Sequence, residues 1–426
     1  MEKWYKLDHA GKLFPAIADA NNTSTYRISV MLTEPVREER LQQAADIVVN
    51  RFPTMATKMV KGVYWDYFSE NKERLLIQPE QNFPCYPINL DSDSGHMIRV
   101  LYYGRKISVE AFHALTDGAG ILEFVKTLLY QYLILNGKTI NDEGLILLPE
   151  GIPTSIETED SFQKYYKTGK APRKTQSVAF HIPGELIIPH GNNVVHGTLS
   201  AKALNDIAKQ NGVTITAYLT ATLIYAIYLQ TLRYSTEKAN IAVCVPVNLR
   251  NLFPSKTLRN FFAAINIIIR TNPEKTFSDV LTEVSEQMNT KITKEYLYDE
   301  ILANMKFEKM IALRFVPRFI KNMAIKYGYN LFGESKTTTT LSNLGRVVLP
   351  KDMAVFVESI SAILYPTDSC PVNSTVCTVG DCLTITFSRK ILQGNIIEEF
   401  FRLLVNQCEL EVKIFSNEWG MAHDKM

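Results

Sequence analysis

The feature that most constrains the fold is the order of patterns between residues 97 and 137. Two strand-like runs, 97–103 and 106–112, are rich in β-branched and aromatic residues and predict a β-hairpin. Apolar residues at helical spacing follow over 121–133, and Gly137 supplies a helix stop. A strand pair that leads directly into a helix predicts an α/β layer, with His113 at the junction.

The same alternation of helix and strand patterns continues through the chain. Further helices are predicted at 35–50, 202–211, 215–232, within 277–331 and at 395–408, and further strands at 56–60, 63–68, 194–199, 241–247, 261–270, 337–341, 355–363, 374–379 and 382–388. The polar segment 151–193, rich in Lys, Thr, Pro and Gly, predicts a crossover between two halves. A chain of 426 residues is too long for one ordinary core. We therefore predict two α/β domains, residues 1–175 and 176–426, with a cleft between them.

Composition excludes several classes of function. The 46 basic and 44 acidic residues give a net charge of only +2, so no nucleic-acid partner is expected. The six cysteines include no Cys-x-x-Cys pair, which favours buried thiols in a reducing cytoplasm and predicts no metal site. The N-terminus has early charges, and the apolar run 215–232 carries three threonines and a glutamine. We therefore expect a soluble, cytoplasmic protein without membrane contact.

His113 begins the motif of greatest chemical interest, because Asp117 and Gly118 follow it at a tight turn before a helix. A histidine at the end of a strand is well placed for a cleft, and its titration range suits a general base near neutrality. The alternative is a hydrogen-bonded core histidine followed by an aspartate that only caps the helix. The spacing alone leaves both interpretations open.

The segment 112–118 resembles the His-x-x-x-Asp-Gly motif of the CoA-dependent acyltransferase superfamily. That group contains chloramphenicol acetyltransferase, non-ribosomal peptide condensation domains, plant BAHD acyltransferases and bacterial proteins similar to alcohol acetyltransferases. Three other segments are also similar to family stretches: Asn50-Arg51-Phe52-Pro53-Thr54-Met55, Pro246-Val247-Asn248-Leu249-Arg250 with Leu258-Arg259-Asn260-Phe261-Phe262, and Ser342-Asn343-Leu344-Gly345. In order and spacing the resemblance covers nearly the whole chain.

The sequence departs from the family pattern at several points. Arg259 stands where glycine is usual, and Phe112 stands where condensation domains carry the first of two paired histidines. The Asp-Phe-Gly-Trp-Gly motif of BAHD and many condensation-like enzymes is missing. The last two departures favour the alcohol-acetyltransferase-like branch over peptide synthesis.

The resemblance implies a fold of two chloramphenicol-acetyltransferase-like α/β-sandwich subdomains, with mixed sheets and an interdomain active-site tunnel. It implies transfer of an acyl group from an acyl-CoA thioester to the hydroxyl, or the amine, of a small or lipophilic acceptor. Coenzyme A would then be the co-substrate, and no metal would be needed. His113 would act as the general base in a direct transfer without a covalent enzyme intermediate.

The resemblance also implies roles for the residues around His113. Asp117 would form an ion pair that holds the turn, with Arg51 as the first-choice partner and Arg250 as the second. Gly118 would allow a tight passage of the backbone.

Substrate contacts are implied as well. Ser342 or Asn343 would donate a hydrogen bond to the developing oxyanion. Asn260 would contact the substrate or simply pack within its strand. Two basic stretches could contact the CoA phosphates: Lys164, Lys167, Lys170, Arg173 and Lys174, and Lys306, Lys309, Arg314, Arg318, Lys321 and Lys326.

The sequence is also compatible with two alternatives. The first is a stand-alone condensation-type enzyme whose acyl donor is bound to an acyl-carrier protein. The second is a catalytically silent protein that uses the same fold to bind an acyl ligand.

Overall fold

A computed structural model of the chain describes residues 3–91, 94–167, 169, 177–187, 191–235, 238–308 and 316–417. The helices are α1 His9–Ile17, α2 Glu38–Val48, α3 Gly118–Leu135, α4 Ser161–Tyr165, α5 Ala201–Gln210, α6 Ile215–Ile227, α7 Phe277–Lys291, α8 Lys294–Glu308, α9 Arg318–Phe332, α10 Lys351–Ala354 and α11 Asn395–Cys408. The strands are β1 Trp4–Lys6, β2 Thr25–Leu32, β3 Thr57–Val60, β4 Tyr67–Glu70, β5 Gln78–Pro79, β6 Ile98–Tyr103, β7 Lys106–Phe112, β8 Asn193–Ser200, β9 Asn240–Asn248, β10 Phe262–Arg270, β11 Thr339–Val347, β12 Val357–Leu364, β13 Val372–Val379, β14 Cys382–Arg389 and β15 Lys413–Ser416. The predicted mixed α/β class is confirmed.

A five-stranded sheet in the order β12-β2-β7-β6-β5 carries the site. Strands β6 and β7 form the predicted antiparallel hairpin, with Ile98 opposite Ala111. The apolar stripes of α2 and α3 pack on this sheet and form one core, which includes Leu41, Val48 and Phe124. Burial of these stripes fixes the start of α3, and therefore the turn between β7 and α3.

A seven-stranded mixed sheet in the order β10-β9-β11-β13-β14-β8-β15 forms the second layer. Strand β11 runs parallel to β9 and β13, whereas the other neighbours are antiparallel. Helix α6 is buried along most of its length in this second core, as its apolar sequence predicts. A small three-stranded sheet, β1-β4-β3, completes the described structure.

The two layers are linked by an exchanged strand. Strand β12 lies in the second half of the sequence but pairs with β2 of the first sheet, with Ile360 opposite Val30. Apart from β12, every strand of the five-stranded sheet comes before residue 176, and every strand of the seven-stranded sheet comes after it. Because the chain crosses back between the layers, residues from both halves can meet at the end of β7.

Helix α1 and strand β2 were not expected from the sequence, and both lie at the candidate site. Two helices, Gly118–Leu135 and Ile215–Leu232, are long and apolar enough by composition to cross a membrane. Half of the first and two thirds of the second are buried inside the protein, as in ordinary core helices. The second range consists of α6 followed by a short π-helical turn, Tyr228–Leu232.

Candidate active site

His113 lies directly after β7, and its imidazole is surrounded by aromatic rings. Its backbone N–H donates to the carbonyl of Ser24, at 2.8 Å, just before β2. Phe14 of α1 stacks on the imidazole with ring centroids 4.1 Å apart and an angle of 12° between the planes. Tyr26 and Phe262 lie tilted against it, with centroids at 4.7 and 5.5 Å. The ring is therefore fixed in direction and lies in a largely apolar surrounding.

The two nitrogens of His113 have different environments. Nδ1 is buried and has no hydrogen-bond partner among the described residues, whereas the residue as a whole keeps some accessible surface. Burial lowers the pKa of His113, and the residue's own backbone carbonyl, Asp117 and Asn260 act in the opposite direction. The lowered pKa keeps the imidazole neutral near pH 7. Nε2 is then the nitrogen that a substrate proton could reach.

Asp117 ties the turn after His113 to the second layer. As the N-cap of α3 it accepts a hydrogen bond from the N–H of Gly120 at 3.0 Å. Arg250 donates to both of its carboxylate oxygens, at 2.8 and 3.1 Å. The N–H of Phe261 donates to the same carboxylate at 2.8 Å. Asp117 is therefore the helix cap that the sequence predicted, and it also forms a bidentate ion pair with Arg250.

The prediction that Arg51 is the partner of Asp117 was wrong. Arg51 donates instead to Glu157, with Nη1–Oε2 and Nη2–Oε1 distances of 2.7 and 3.1 Å. It lies in the short 3-10 helix after α2, against the segment that crosses between the halves. Glu157 lies on that segment, which the tertiary fold brings next to Arg51. The same fold brings Arg250 next to Asp117. Arg250, the second choice, is the observed partner.

Two glycines near Asp117 differ in how tightly they are packed. A Cβ on Gly118 would approach the Cδ2 atom of Leu344 to 2.5 Å, and that methyl is the end of a flexible side chain. A Cβ on Gly120 would lie 2.1 Å from the carbonyl oxygen of Leu258 and 2.2 Å from Oγ1 of Thr116. Gly120, which the sequence analysis did not single out, is therefore the tighter backbone passage.

The family resemblance implied that Asn260 contacts the substrate, but the structure places it elsewhere. Its side chain is 1% exposed and contacts the His113 loop from behind. Its Nδ2 donates to the carbonyls of His113 and Ala114, at 3.1 and 3.3 Å. These contacts favour support of the loop over binding of a substrate.

Ser342 and Asn343 lie on β11, where its pairing with β13 contains a bulge. Asn343 is engaged within the protein, because Nδ2 donates to Thr216 at 2.9 Å and Oδ1 accepts from the Gly345 N–H at 2.8 Å. Gly345 has a φ of +76°, which the bulge requires and which glycine adopts at no steric cost. The Ser342 hydroxyl has no hydrogen-bond partner among the described residues, so it remains free to donate.

The two basic stretches are only partly described, since residues 170–176 and 309–315 and the side chain of Lys306 lie outside the described residues. Lys164 pairs with Glu159 at 2.7 Å, and Lys326 pairs with Asp19 at 2.7 Å. Lys321 is buried over the ring of Trp65. These three cations are engaged within the protein. Arg318 is likewise paired, with Asp66 at 3.2 Å.

Three residues that build the site, Asp8, Phe14 and Tyr26, were not among the residues expected from the sequence. The run 25–32 offered a strand signal because apolar and polar residues alternate over Tyr26-Arg27-Ile28-Ser29-Val30. Asp8 begins α1 as its N-cap and accepts from the N–H of Gly11 at 2.6 Å. An aspartate three residues before a glycine gave little reason to expect a helix there.

Comparison by sequence finds no protein family and no curated protein that matches the chain. Comparison of structures does find similar folds. The first condensation domain of the CDA synthetase has a TM-score of 0.62 at 14% identity, over 95% of this chain and 96% of that one. TRI101 of F. graminearum, complexed with coenzyme A and deoxynivalenol, has a TM-score of 0.60 at 12% identity, over 96% of this chain and 99% of that one.

A third similar structure is the TRI3 trichothecene 15-O-acetyltransferase from Fusarium sporotrichioides. Its TM-score is 0.58 at 12% identity, over 95% of each chain. The similarity thus extends over almost the full length of all three proteins. The chain has the fold shared by condensation domains and CoA-dependent acyltransferases, as the resemblance of its motifs predicted.

Proposed function

We propose that the chain is an O-acyltransferase that moves an acyl group from an acyl-CoA thioester to the hydroxyl of a small or lipophilic acceptor. The observation that carries this proposal is that the imidazole of His113 is neutral near pH 7 and held in one direction. Its pKa is lowered by burial, Nδ1 is buried, and the loop that bears it is anchored by Asp117 and Arg250. A neutral imidazole held in a fixed direction is what a general base requires.

In the proposed reaction Nε2 of His113 removes the proton of the acceptor hydroxyl as its oxygen attacks the thioester carbonyl carbon. A carbon–oxygen bond forms and the carbonyl electrons move to the oxygen, where the free Ser342 hydroxyl could donate a hydrogen bond. The tetrahedral intermediate then collapses and the carbon–sulfur bond breaks. The departing thiolate takes the proton from the imidazolium, which restores neutral His113.

The surroundings of His113 favour an uncharged acceptor. Three aromatic rings, those of Phe14, Tyr26 and Phe262, flank the imidazole. The nearby carboxylate of Asp117 is already neutralised by Arg250. An ammonium group would lose its hydration here without gaining a partner, so an alcohol is favoured over a charged amine.

The identity of the donor rests on the similar structures. TRI101 was solved with coenzyme A, and a starter condensation domain with C8-CoA. Of the cations that the sequence suggested for the phosphates, Lys164, Arg318 and Lys326 are engaged by acidic side chains. The similarity to a condensation domain also supports a second candidate, transfer from a donor bound to an acyl-carrier protein.

A thiol-release assay tests the proposal. Acetyl-CoA, longer acyl-CoAs and acyl groups on a carrier protein would be offered with a panel of alcohols and amines. We expect release with a CoA donor and an alcohol, and a loss of about 100-fold or more in His113→Ala. His96→Ala is the matched control, because His96 is also buried and its Nε2 contacts the carbonyl of Glu73.

The outcomes separate the candidates. Release only from the carrier protein would support the condensation-type enzyme. If no donor released thiol, and His113→Ala still bound an acyl ligand as the wild type does, the silent binding protein would be favoured. Cytoplasmic localisation stays part of the proposal and is tested by fractionating cells that express the chain.

A further inference from the structure

The amide nitrogen of Asn260 makes contacts that bear on His113. Its Nδ2 donates to the carbonyls of His113 and Ala114 and also lies 3.5 Å from Oδ1 of Asp8. Three acceptor oxygens therefore surround the amide nitrogen. This fixes the orientation of the amide, because a flipped amide would place its own oxygen against these three acceptors. The amide oxygen then points away from these acceptors.

Two buried polar atoms are left without a partner among the described residues, one on each of these neighbouring side chains. They are Oδ1 of Asn260, an acceptor, and Nδ1 of His113, a donor when it carries the proton. A buried amide oxygen or ring N–H without a partner costs free energy, but these two atoms form no hydrogen bond with each other. The contact between the residues runs from Nδ2 of Asn260 to the His113 carbonyl. Burial lowers the pKa of His113, and the residue's own backbone carbonyl, then Asp117 and then Asn260 act in the opposite direction.

Asp8 holds Asn260 in turn. Its carboxylate lies in full burial and accepts from the backbone N–H of Asn260 at 3.3 Å. Arg259 balances the charge, with Nε 3.5 Å from Oδ2 of Asp8. This contact gives a structural reason for the arginine at position 259.

Asp8 also sets the position of α1 against the catalytic loop. As the helix N-cap it accepts from Gly11, and a Cβ on Gly11 would approach the carbonyl oxygen of Ala114 to 2.8 Å. Phe14, one turn further along α1, is the residue that stacks on the imidazole. One buried carboxylate therefore supports both the amide behind His113 and the ring that covers it.

We propose that Asp8 and Asn260 are positioning residues for His113. Asn260 holds the carbonyls of His113 and Ala114 through Nδ2, and it thereby keeps the His113 carbonyl in place as the acceptor that favours a proton on Nδ1 of the same residue. Asp8 fixes Asn260. The imidazole is thereby kept in the tautomer that carries its proton on Nδ1. Nε2 is left with a free lone pair toward the acceptor, as a general base requires. This inference rests on the proposed acyl transfer for its effect on rate, but the tautomer can be measured on the protein alone.

The test combines kinetics with ¹⁵N NMR of the histidine side chains, in which His113→Gln identifies the signals of His113. In the wild type we expect Nδ1 to be protonated and Nε2 not. In Asn260→Leu we expect a mixture of tautomers and a kcat lower by about 100-fold, with a much smaller change in KM. In Asp8→Asn, which keeps an oxygen to cap α1, we expect a smaller loss of about 10-fold in kcat.

Asn192→Leu is the matched control. Asn192 is also buried, donates one hydrogen bond from Nδ2, to Pro84 at 3.0 Å, and has a buried Oδ1 without a partner among the described residues. We expect a comparable loss of stability but no change in kcat or in the His113 signals. If Asn260→Leu folds and keeps the wild-type tautomer, the proposal is overturned, whatever the kinetics show. If Asn260→Leu does not fold, Asp8→Asn decides in the same way by its tautomer ratio.

Failure of the acyl-transfer proposal is a separate outcome. It would appear as a wild-type protein that releases no thiol with any donor. The NMR result on the free protein would still stand for or against the role of Asp8 and Asn260.

Discussion

The carboxylate of Asp117 accepts two hydrogen bonds from the guanidinium of Arg250, Oδ2 from Nη1 at 2.8 Å and Oδ1 from Nη2 at 3.1 Å. Arg250 also donates to the carbonyls of Thr257 and Arg259. The two residues are 133 positions apart in the chain. Their contact therefore joins the loop that bears His113 to the segment between β9 and β10.

Replacing Arg250 by alanine is expected to lower both stability and rate. Asp117 would remain buried without its cation, which costs about 3 kcal/mol of unfolding free energy. The loop would also lose an anchor, so we expect kcat of the folded protein to fall by about 10-fold to 100-fold. Urea unfolding and steady-state kinetics measure the two effects.

Arg51→Ala is the control for this variant. Its ion pair with Glu157 is buried to a similar degree and has almost the same two distances. We expect a similar loss of unfolding free energy but an unchanged kcat. An equal fall of kcat in both variants would show that the loss of rate is not specific to the contact with Asp117.

The two glycines of the turn are expected to respond differently to alanine. In Gly120→Ala the new methyl would overlap the Leu258 carbonyl and Thr116 Oγ1, neither of which can move without shifting backbone or breaking a hydrogen bond. We expect a loss of about 3 kcal/mol in unfolding free energy. In Gly118→Ala the Leu344 methyl can rotate away, so the loss should stay below about 1 kcal/mol. Equal losses in the two variants would contradict this account of the turn.

The rate is expected to persist into mildly acidic solution. Burial lowers the pKa of His113 from its ordinary value of 6.5, so the imidazole stays unprotonated below that pH. The acid limb of a plot of log kcat/KM against pH should therefore have its midpoint below 6.5. The same shift means that this group stabilises the fold fully above pH 6.5. That contribution is lost as the pH falls through the lowered pKa, because the unfolded chain then binds the proton better.

Asp8 titrates in the same range, since burial raises its pKa to about 6. The sign of its effect on stability is opposite. A raised pKa means that ionised Asp8 is disfavoured in the fold, so its contribution to stability declines as the pH rises from about 4 to 6. Asp8→Asn removes this titration. An acid limb that stays below pH 6.5 in that variant belongs to His113, and one that moves to 6.5 or above would contradict the lowered pKa.

Local patterns predicted a large part of the architecture. The hairpin of β6 and β7, helix α3 and the cap at Asp117 were all expected from residues within a few positions of one another. Helix α11 has the predicted bounds, 395–408. Each of these elements is defined by an apolar period or by a capping side chain, and both are written in consecutive residues.

Helix α1 was missed for a local reason. Gly11 and Pro15 lie within its nine residues, and both weaken a helical pattern. Its stability comes from tertiary contacts: the close approach of Gly11 to Ala114 and the stacking of Phe14 on His113. A pattern that depends on such distant partners cannot be recognised from the segment alone.

The sequence by itself determined that His113 stands between a strand and a helix, with Asp117 as the cap that begins the helix. Only the tertiary structure decided which arginine meets Asp117, and that Asn260 and Asp8 lie behind the imidazole. The physical reason is the range of each signal. Helix and strand periods depend on neighbours in the chain, whereas an ion pair or a buried hydrogen bond depends on which distant segments the sheets bring together.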